Sequence, residues 1–291
     1  MLLGNSRQAY YQGLKYQQKE AFQDDLIIEE VLRYRKHQKR LGTRKLLEEM
    51  QNFLTSHSFN IGRDAMFKLL DERGLLVRKR KRRGPQTTFS RHRFKKYPNF
   101  IRDFIPTGPN QLWVSDITYI HVGDKFAYLS LVTDAYSRKI VGFYLSEDLS
   151  SKGPLAALKM AFANNPNHPD LIHHSDRGVQ YCCDKYVKLL EKNEVKISMT
   201  ENGDPLENAL AERVNGILKD ELLEECYPLF AHAQNDIAKA ISTYNHLRPH
   251  GSIDNLKPVD AHKMAGPIKQ RWVNYYQRKQ QKLKQEVLMT G

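Results

Sequence analysis

Three carboxylates in this 291-residue chain have the type and spacing to do chemistry together: Asp116, Asp176 and Glu212. Asp116 interrupts Leu112-Trp113-Val114-Ser115-Asp116-Ile117-Thr118-Tyr119-Ile120, an otherwise apolar, β-branched and aromatic run. A lone carboxylate in such a strand is costly unless it is paired or bound to a metal. Asp176 closes the word His173-His174-Ser175-Asp176, and strand alternation puts Ile172, His174 and Asp176 on one face if the strand runs that far. Glu212 lies on a long helix starting near 205, with Asp204 as N-cap, Pro205 at the first helical position and Glu207 completing a capping box. On a helical wheel Leu206, Leu210, Val214, Ile217 and Leu218 form the apolar arc. Glu212 and Lys219 share the polar side with Asn208 and Asn215. Taken singly, Glu212 reads as a solvated helix carboxylate and Asp176 as a turn or cap residue; only Asp116 is unusual by itself. Converging on one sheet edge, the three would offer hard oxygen ligands that select Mg²⁺, with Mn²⁺ as substitute. Two such ions activate an attacking oxygen and stabilise a leaving oxygen in phosphoryl transfer.

The elements that must position these groups follow from the hydrophobic periods. Strands are expected at 112–120, 126–133 and 140–145 as an antiparallel meander, then at 170–174 and 195–199. Helices are expected at 151–163, 179–192 and from 205 onward. The order βββαβαβα gives an α/β fold with a mixed five-stranded sheet and flanking helices, the order of ribonuclease-H-like domains. Ahead of it, residues 24–76 read as short helices. Thr43 is the expected cap of one of them, Arg63 and Asp64 open another, and Gly74 ends it. Short helices, tight glycine turns and many cations point to an all-α helix-turn-helix domain. The expected divisions are a partial helical segment at 1–20, a helix-turn-helix domain at 21–77 and a basic linker at 78–108. The catalytic core follows at 109–225, then a helical extension at 226–265 and a basic tail at 266–291.

Charge is divided unevenly along the chain. The first 97 residues carry 23 basic and 10 acidic side chains, residues 98–262 carry 16 and 22, and the last 29 carry seven and one. A basic arm on a mildly acidic body suits a polyanion, most simply double-stranded DNA. Arg78, Lys79, Arg80, Lys81, Arg82 and Arg83 form an unbroken cationic run that cannot pack in a core and is expected to contact phosphates. Three cysteines, Cys182, Cys183 and Cys226, with no CxxC pair, do not make a disulfide scaffold. No stretch reaches 18 apolar residues. A cytoplasmic, nucleoid-associated protein is expected.

Asp116 and Asp176 have 59 residues between them, and Asp176 and Glu212 have 35. This spacing resembles the DDE triad of transposases and retroviral-type integrases. The words around Asp116, His174-Ser175-Asp176-Arg177-Gly178-Val179-Gln180-Tyr181 and Glu207-Asn208-Ala209-Leu210-Ala211-Glu212 resemble the insertion-sequence-3 transposase family. Tyr244-Asn245-His246-Leu247-Arg248-Pro249-His250 and Leu256-Lys257-Pro258-Val259 are similar to its C-terminal block, and residues 42–76 to its helix-turn-helix. The chain departs from the common pattern at Glu207, where Asp is usual, and at Arg213-Val214-Asn215, where Ser-Phe usually follows the Glu. The resemblance implies that Asp116, Asp176 and Glu212 are metal-binding catalytic residues and that Lys219 contacts the DNA end. It implies hydrolytic release of a 3′-OH at a terminal inverted repeat, and attack of that 3′-OH on another phosphodiester with no covalent protein–DNA intermediate. It further implies a homo-oligomer on DNA and an upstream-frame helix-turn-helix and coiled-coil partner or fusion. The alternatives are a catalytically silent, sequence-specific DNA-binding regulator derived from a transposase, and a ribonuclease-H-type nuclease. A zinc site of His173 and His174 with Cys182 and Cys183 fits no usual finger spacing. A hydrolase triad of Ser175, His174 and Asp176 lacks a nucleophile elbow.

Overall fold

A computed structural model of the chain describes residues 7–78, 92–102, 104–201 and 208–269. The chain forms two compact units, Met1–Arg82 with Asp220–Leu222, and Arg83–Lys219 with Leu223–Gly291.

The first unit is all helical: α1 (Arg7–Arg35), α2 (Thr43–Glu49), α3 (Gln51–Ser56) and α4 (Arg63–Glu72). Its core gathers Ile27, Val31, Leu41, Leu46, Met50, Leu54, Met66, Leu69 and Leu70. Helix α1 runs unbroken through position 20, where the sequence suggested a division, and it exposes Tyr10, Tyr11, Tyr16 and Phe22. No proline interrupts it, and its only glycine is Gly13. Thr43 does not cap α2. Gly42 holds the N-cap position in extended backbone, while Thr43 is the first helical residue and is buried. Gly74 ends α4 as expected: it adopts φ +66°, and the Leu75 N–H donates to the Leu70 carbonyl at 2.7 Å.

The second unit is built on β1 (Leu112–Val122), β2 (Lys125–Asp134), β3 (Ile140–Ser146), β4 (Ile172–Ser175) and β5 (Lys196–Met199). They form one mixed sheet in the order β3-β2-β1-β4-β5. The β1-β2-β3 meander is antiparallel, and β1, β4 and β5 run parallel. This is the ribonuclease-H-like arrangement. Helix α5 (Lys152–Asn164) lies so close to β3 that a Cβ on Gly142 would stand 2.1 Å from the Ala157 carbonyl oxygen. At the first residue of β3 the sheet edge meets α9 (Phe230–His246). Its Asn245 side chain accepts from the Ile140 N–H and donates to the Ile140 carbonyl, both at 2.9 Å. At Ile140 the asparagine thus takes the place of a neighbouring strand's backbone.

The helix expected over 179–192 is two helices, α6 (Val179–Cys182) and α7 (Asp184–Lys192), divided by Cys183 in extended backbone. On an uninterrupted helix positions 181 and 186 would point about 140° apart. The break lets the Tyr181 and Tyr186 rings meet edge to face at 5.3 Å beside His173. Helix α8 (Ala209–Ile217) passes into a π-helical turn, Leu218–Leu222, and α10 (Pro258–Ala261) follows α9. The expected capping box, Asp204, Pro205 and Glu207, lies outside the described residues, as do Lys79 to Arg83 and residues 270–291 of the tail. No described helix is long and apolar enough to cross a membrane.

Candidate active site

The parallel pairing of β1 with β4 sets the site. Leu112 pairs with Ile172, Trp113 with His173 and Val114 with His174. Two residues further along each chain, Asp116 and Asp176 follow the same alternation and come to one face. Strand β4 ends at Ser175, so Asp176 begins the turn into α6. There its Oδ1 accepts from the Gly178 N–H at 2.9 Å. A Cβ on Gly178 would lie 3.0 Å from that oxygen, so the turn closes tightly around the carboxylate. Asp116 and Asp176 line a single pocket with Ile117, Tyr119, Gln180 and Tyr181.

Electrostatics report the same proximity. The Asp116 carboxyl is pushed up to about 7, first by burial and then by the neighbouring Asp176 carboxylate, with Glu212 adding in the same direction. A backbone hydrogen bond from Ile117 and the side chain of Asn215 work against that rise. Glu212 is exposed on α8, and partial desolvation raises its carboxyl above the ordinary value. Among the described residues no three His, Cys, Asp or Glu side chains stand close enough to hold one ion. The structure therefore brings Asp116 and Asp176 together and leaves Glu212 on the adjoining helix, within electrostatic reach of Asp116.

Two residues assigned to the polar side of α8 by the helical wheel are buried instead. Asn215 is 5% exposed, and its Nδ2 donates to Oδ2 of Asp116 at 2.7 Å. Asn208 is 7% exposed, and its Nδ2 donates to the Ser115 carbonyl at 3.2 Å. The wheel scored both as polar and turned them to solvent; their seven-residue separation along the border of the apolar arc was the available signal. Lys219 lies half-buried in the π-helical turn. The regular 100° projection that set it beside Glu212 ends at Ile217. Arg78 is exposed and stands 3.7 Å from Asp71.

The rival sites do not assemble. His173 Nε2 lies 2.8 Å from the Ser115 hydroxyl and 3.0 Å from that of Tyr186, and Cys182 packs on Met199. The Ser175 hydroxyl donates to the Asp176 backbone carbonyl, while His174 Nδ1 meets Ser198. Asp134, the last residue of β2, is a further buried carboxylate, and it accepts from the backbone of Asn110 and from Ser137.

Comparison with known proteins adds a family to this geometry. The sequence matches the Integrase core domain family over residues 106–205, and a second model of the same description over residues 193–258. It is 32% identical over 269 residues to the uncharacterized 31 kDa protein of insertion element IS600 from Shigella sonnei, across 89% of this chain and 95% of that one. It is also 30% identical to the transposase of insertion sequence element IS904 from Lactococcus lactis subsp. lactis, covering 79% of this chain and 98% of the relative. Transposase InsF of insertion sequence IS3A from Escherichia coli strain K12 is 27% identical, over 77% of each chain. The chain belongs to the insertion-sequence-3 family of transposases. Asp116 and Asp176 fall in the first matched segment of the transposase, and Glu212 in the second.

Proposed function

We propose that this transposase cuts DNA at the terminal inverted repeats of its element and transfers the freed 3′-OH to another phosphodiester, with Asp116, Asp176 and Glu212 as the catalytic carboxylates. The observation that carries the reading is the meeting of Asp116 and Asp176 in one pocket, with Glu212 on the helix beside them. Burial first and the Asp176 carboxylate second raise the Asp116 carboxyl, and the oxygens of the pair are the donors that Mg²⁺ or Mn²⁺ prefers. The paired oxygens of Asp116 and Asp176 fit a divalent ion, and Glu212 would have to approach from the adjoining helix to complete its site. When bound, two such ions would activate the attacking oxygen and offset charge on the leaving oxygen. The chain's own part is positional: the β1–β4 register and the Gly178 N–H hold the carboxylates.

The DNA partner is gripped, in this reading, by the helical unit acting as a helix-turn-helix domain over 21–77 and by the cationic run Arg78 to Arg83 in the linker. Lys219 would reach the DNA end. Two element ends must be held at once, so the working form is a homo-oligomer on DNA, with or without an upstream-frame partner, acting in the bacterial cytoplasm. The test is cleavage and joining of a labelled DNA end from the gene's own flanks, comparing the wild type with Glu212→Gln in Mg²⁺ or Mn²⁺. Joined products that need both metal and Glu212 are expected. Metal-independent binding without any cutting would replace the reading with a DNA-binding regulator, and cutting of RNA–DNA hybrids without joining would replace it with a nuclease.

A further inference from the structure

The geometry points to Asn215 as a positioning residue that fixes the Asp116 carboxylate for metal binding, with Asn208 anchoring the same helix one residue back along β1. The inference rests on the catalytic reading of Asp116 and Glu212. Three facts carry it. Asn215 is almost fully buried, yet its side chain is spent on a single hydrogen bond, 2.7 Å from Nδ2 to Oδ2 of Asp116. Its own Oδ1 is buried without a partner among the described residues, and so is that of Asn208. A buried amide left half satisfied costs about 1–3 kcal/mol, so packing alone gives no reason for asparagine over leucine, which has the same branched shape.

The pair also has a geometric consequence. Asn208 is the N-cap of α8, and Glu212 and Asn215 stand three residues apart on the helix itself. The two asparagines bond to consecutive residues of β1, Ser115 and Asp116. They fix both the height and the rotation of α8 against the strand, and Glu212 lies between them. With Oδ2 of Asp116 engaged by the amide and the Ile117 backbone N–H also donating to the group, the carboxylate is restrained in the orientation in which it would meet the ion. A hydrogen-bonded carboxylate ligand loses about 10–100-fold in metal affinity or activity when its partner is removed.

The experiment compares wild type, Asn215→Leu, Asn215→Asp and Glu212→Gln. Its readouts are metal-dependent end cleavage, Mn²⁺ affinity by calorimetry, metal-free affinity for the DNA end, and melting temperature. Asn215→Leu keeps the shape and removes the donor; Asn215→Asp replaces the donor with an acceptor. Both are expected to weaken Mn²⁺ binding and cleavage about 10–100-fold. Metal-free DNA affinity should stay unchanged, and Asn215→Leu should melt no lower than wild type. Wild-type Mn²⁺ affinity and cleavage in both variants, with Glu212→Gln inactive, would overturn the role of Asn215 and leave the catalytic reading intact. Lost cleavage with unchanged Mn²⁺ affinity would overturn it as well. So would losses in both variants that only follow a loss of folded protein, since Asn215 would then be a packing residue. A fully active Glu212→Gln would remove the catalytic reading and this inference with it.

Discussion

Acidification should destabilise the core unit through one buried imidazole. His173 sits on β4 with no exposed surface, between the Ser115 and Tyr186 hydroxyls. Burial, and secondarily His174, lower its value from 6.5 to about 3. The unfolded chain therefore binds a proton below pH 6.5 that the folded chain refuses until about pH 3. The stabilising contribution is complete above pH 6.5 and is lost as the pH falls toward 3. Linkage puts the loss at about 2 kcal/mol by pH 5, rising toward about 5 kcal/mol below pH 3. Asp116 acts with the opposite sign, because its raised carboxyl takes up a proton on folding between about pH 7 and 4. The bare pH profile thus mixes the two. The assay is urea unfolding of metal-free wild type and His173→Gln at pH 7.5, 6, 5 and 4.5, read as the difference between the two proteins. Wild type should lose about 2 kcal/mol more than the variant between pH 7.5 and 5. Parallel profiles, or an imidazole that titrates near 6.5 by NMR in the folded protein, would refute the argument.

Gly142→Ala forces a Cβ to within 2.1 Å of the Ala157 carbonyl oxygen, so α5 must move off the sheet. The expected cost is about 3 kcal/mol, read as a fall of roughly 5–10 °C in melting temperature; an unchanged melt would mean that α5 yields freely. Metal-free Asp116→Asn should melt above wild type at pH 8, because it removes a buried carboxylate that faces Asp176. Mn²⁺ at a hundredfold excess over its Kd should stabilise wild type by about 2.7 kcal/mol and leave this variant unmoved, as differential scanning fluorimetry would report. Neutralising Arg78 to Arg83 should flatten the salt dependence of DNA-end affinity by about 0.9 in log–log slope for each phosphate that is no longer neutralised. An unchanged slope would take the run out of the DNA interface.

What could be read in the sequence divides along a physical line. The five strands were legible because β-branched and aromatic runs bounded by glycine, aspartate and serine turns are local signals, and their order limits the sheet to few arrangements. Asp116 was legible for the same reason, as a charge placed where its neighbours are all fit for burial. The division of 179–192 at Cys183 was not, since no proline or glycine marks it. It exists because Tyr181 and Tyr186 both gain by facing His173, a strand residue paired to β1. Asn208 and Asn215 failed in the same way. A helical wheel sorts side chains by polarity, and an amide goes inward only when a strand already presents an acceptor at the right height. Here the acceptors are the Ser115 carbonyl and the Asp116 carboxylate.

The two failures share a cause that bears on the site itself. Asp116 is costly to bury alone, and two donors reduce that cost. Asn215 donates to it and so does the Ile117 backbone N–H, while the Tyr181 ring walls the same pocket beside Asp176. Even so the carboxyl remains raised to about 7, so the protein alone does not satisfy it at neutral pH. With its own donors falling short, the carboxyl takes up a proton, or on the proposed reading a divalent cation instead. The strand whose carboxylate broke the apolar pattern is therefore also the strand on which helix α8 is anchored. The carboxylate that makes Asp116 conspicuous in the sequence is the one that Asn215 holds, and on the proposed reading it is held for a metal.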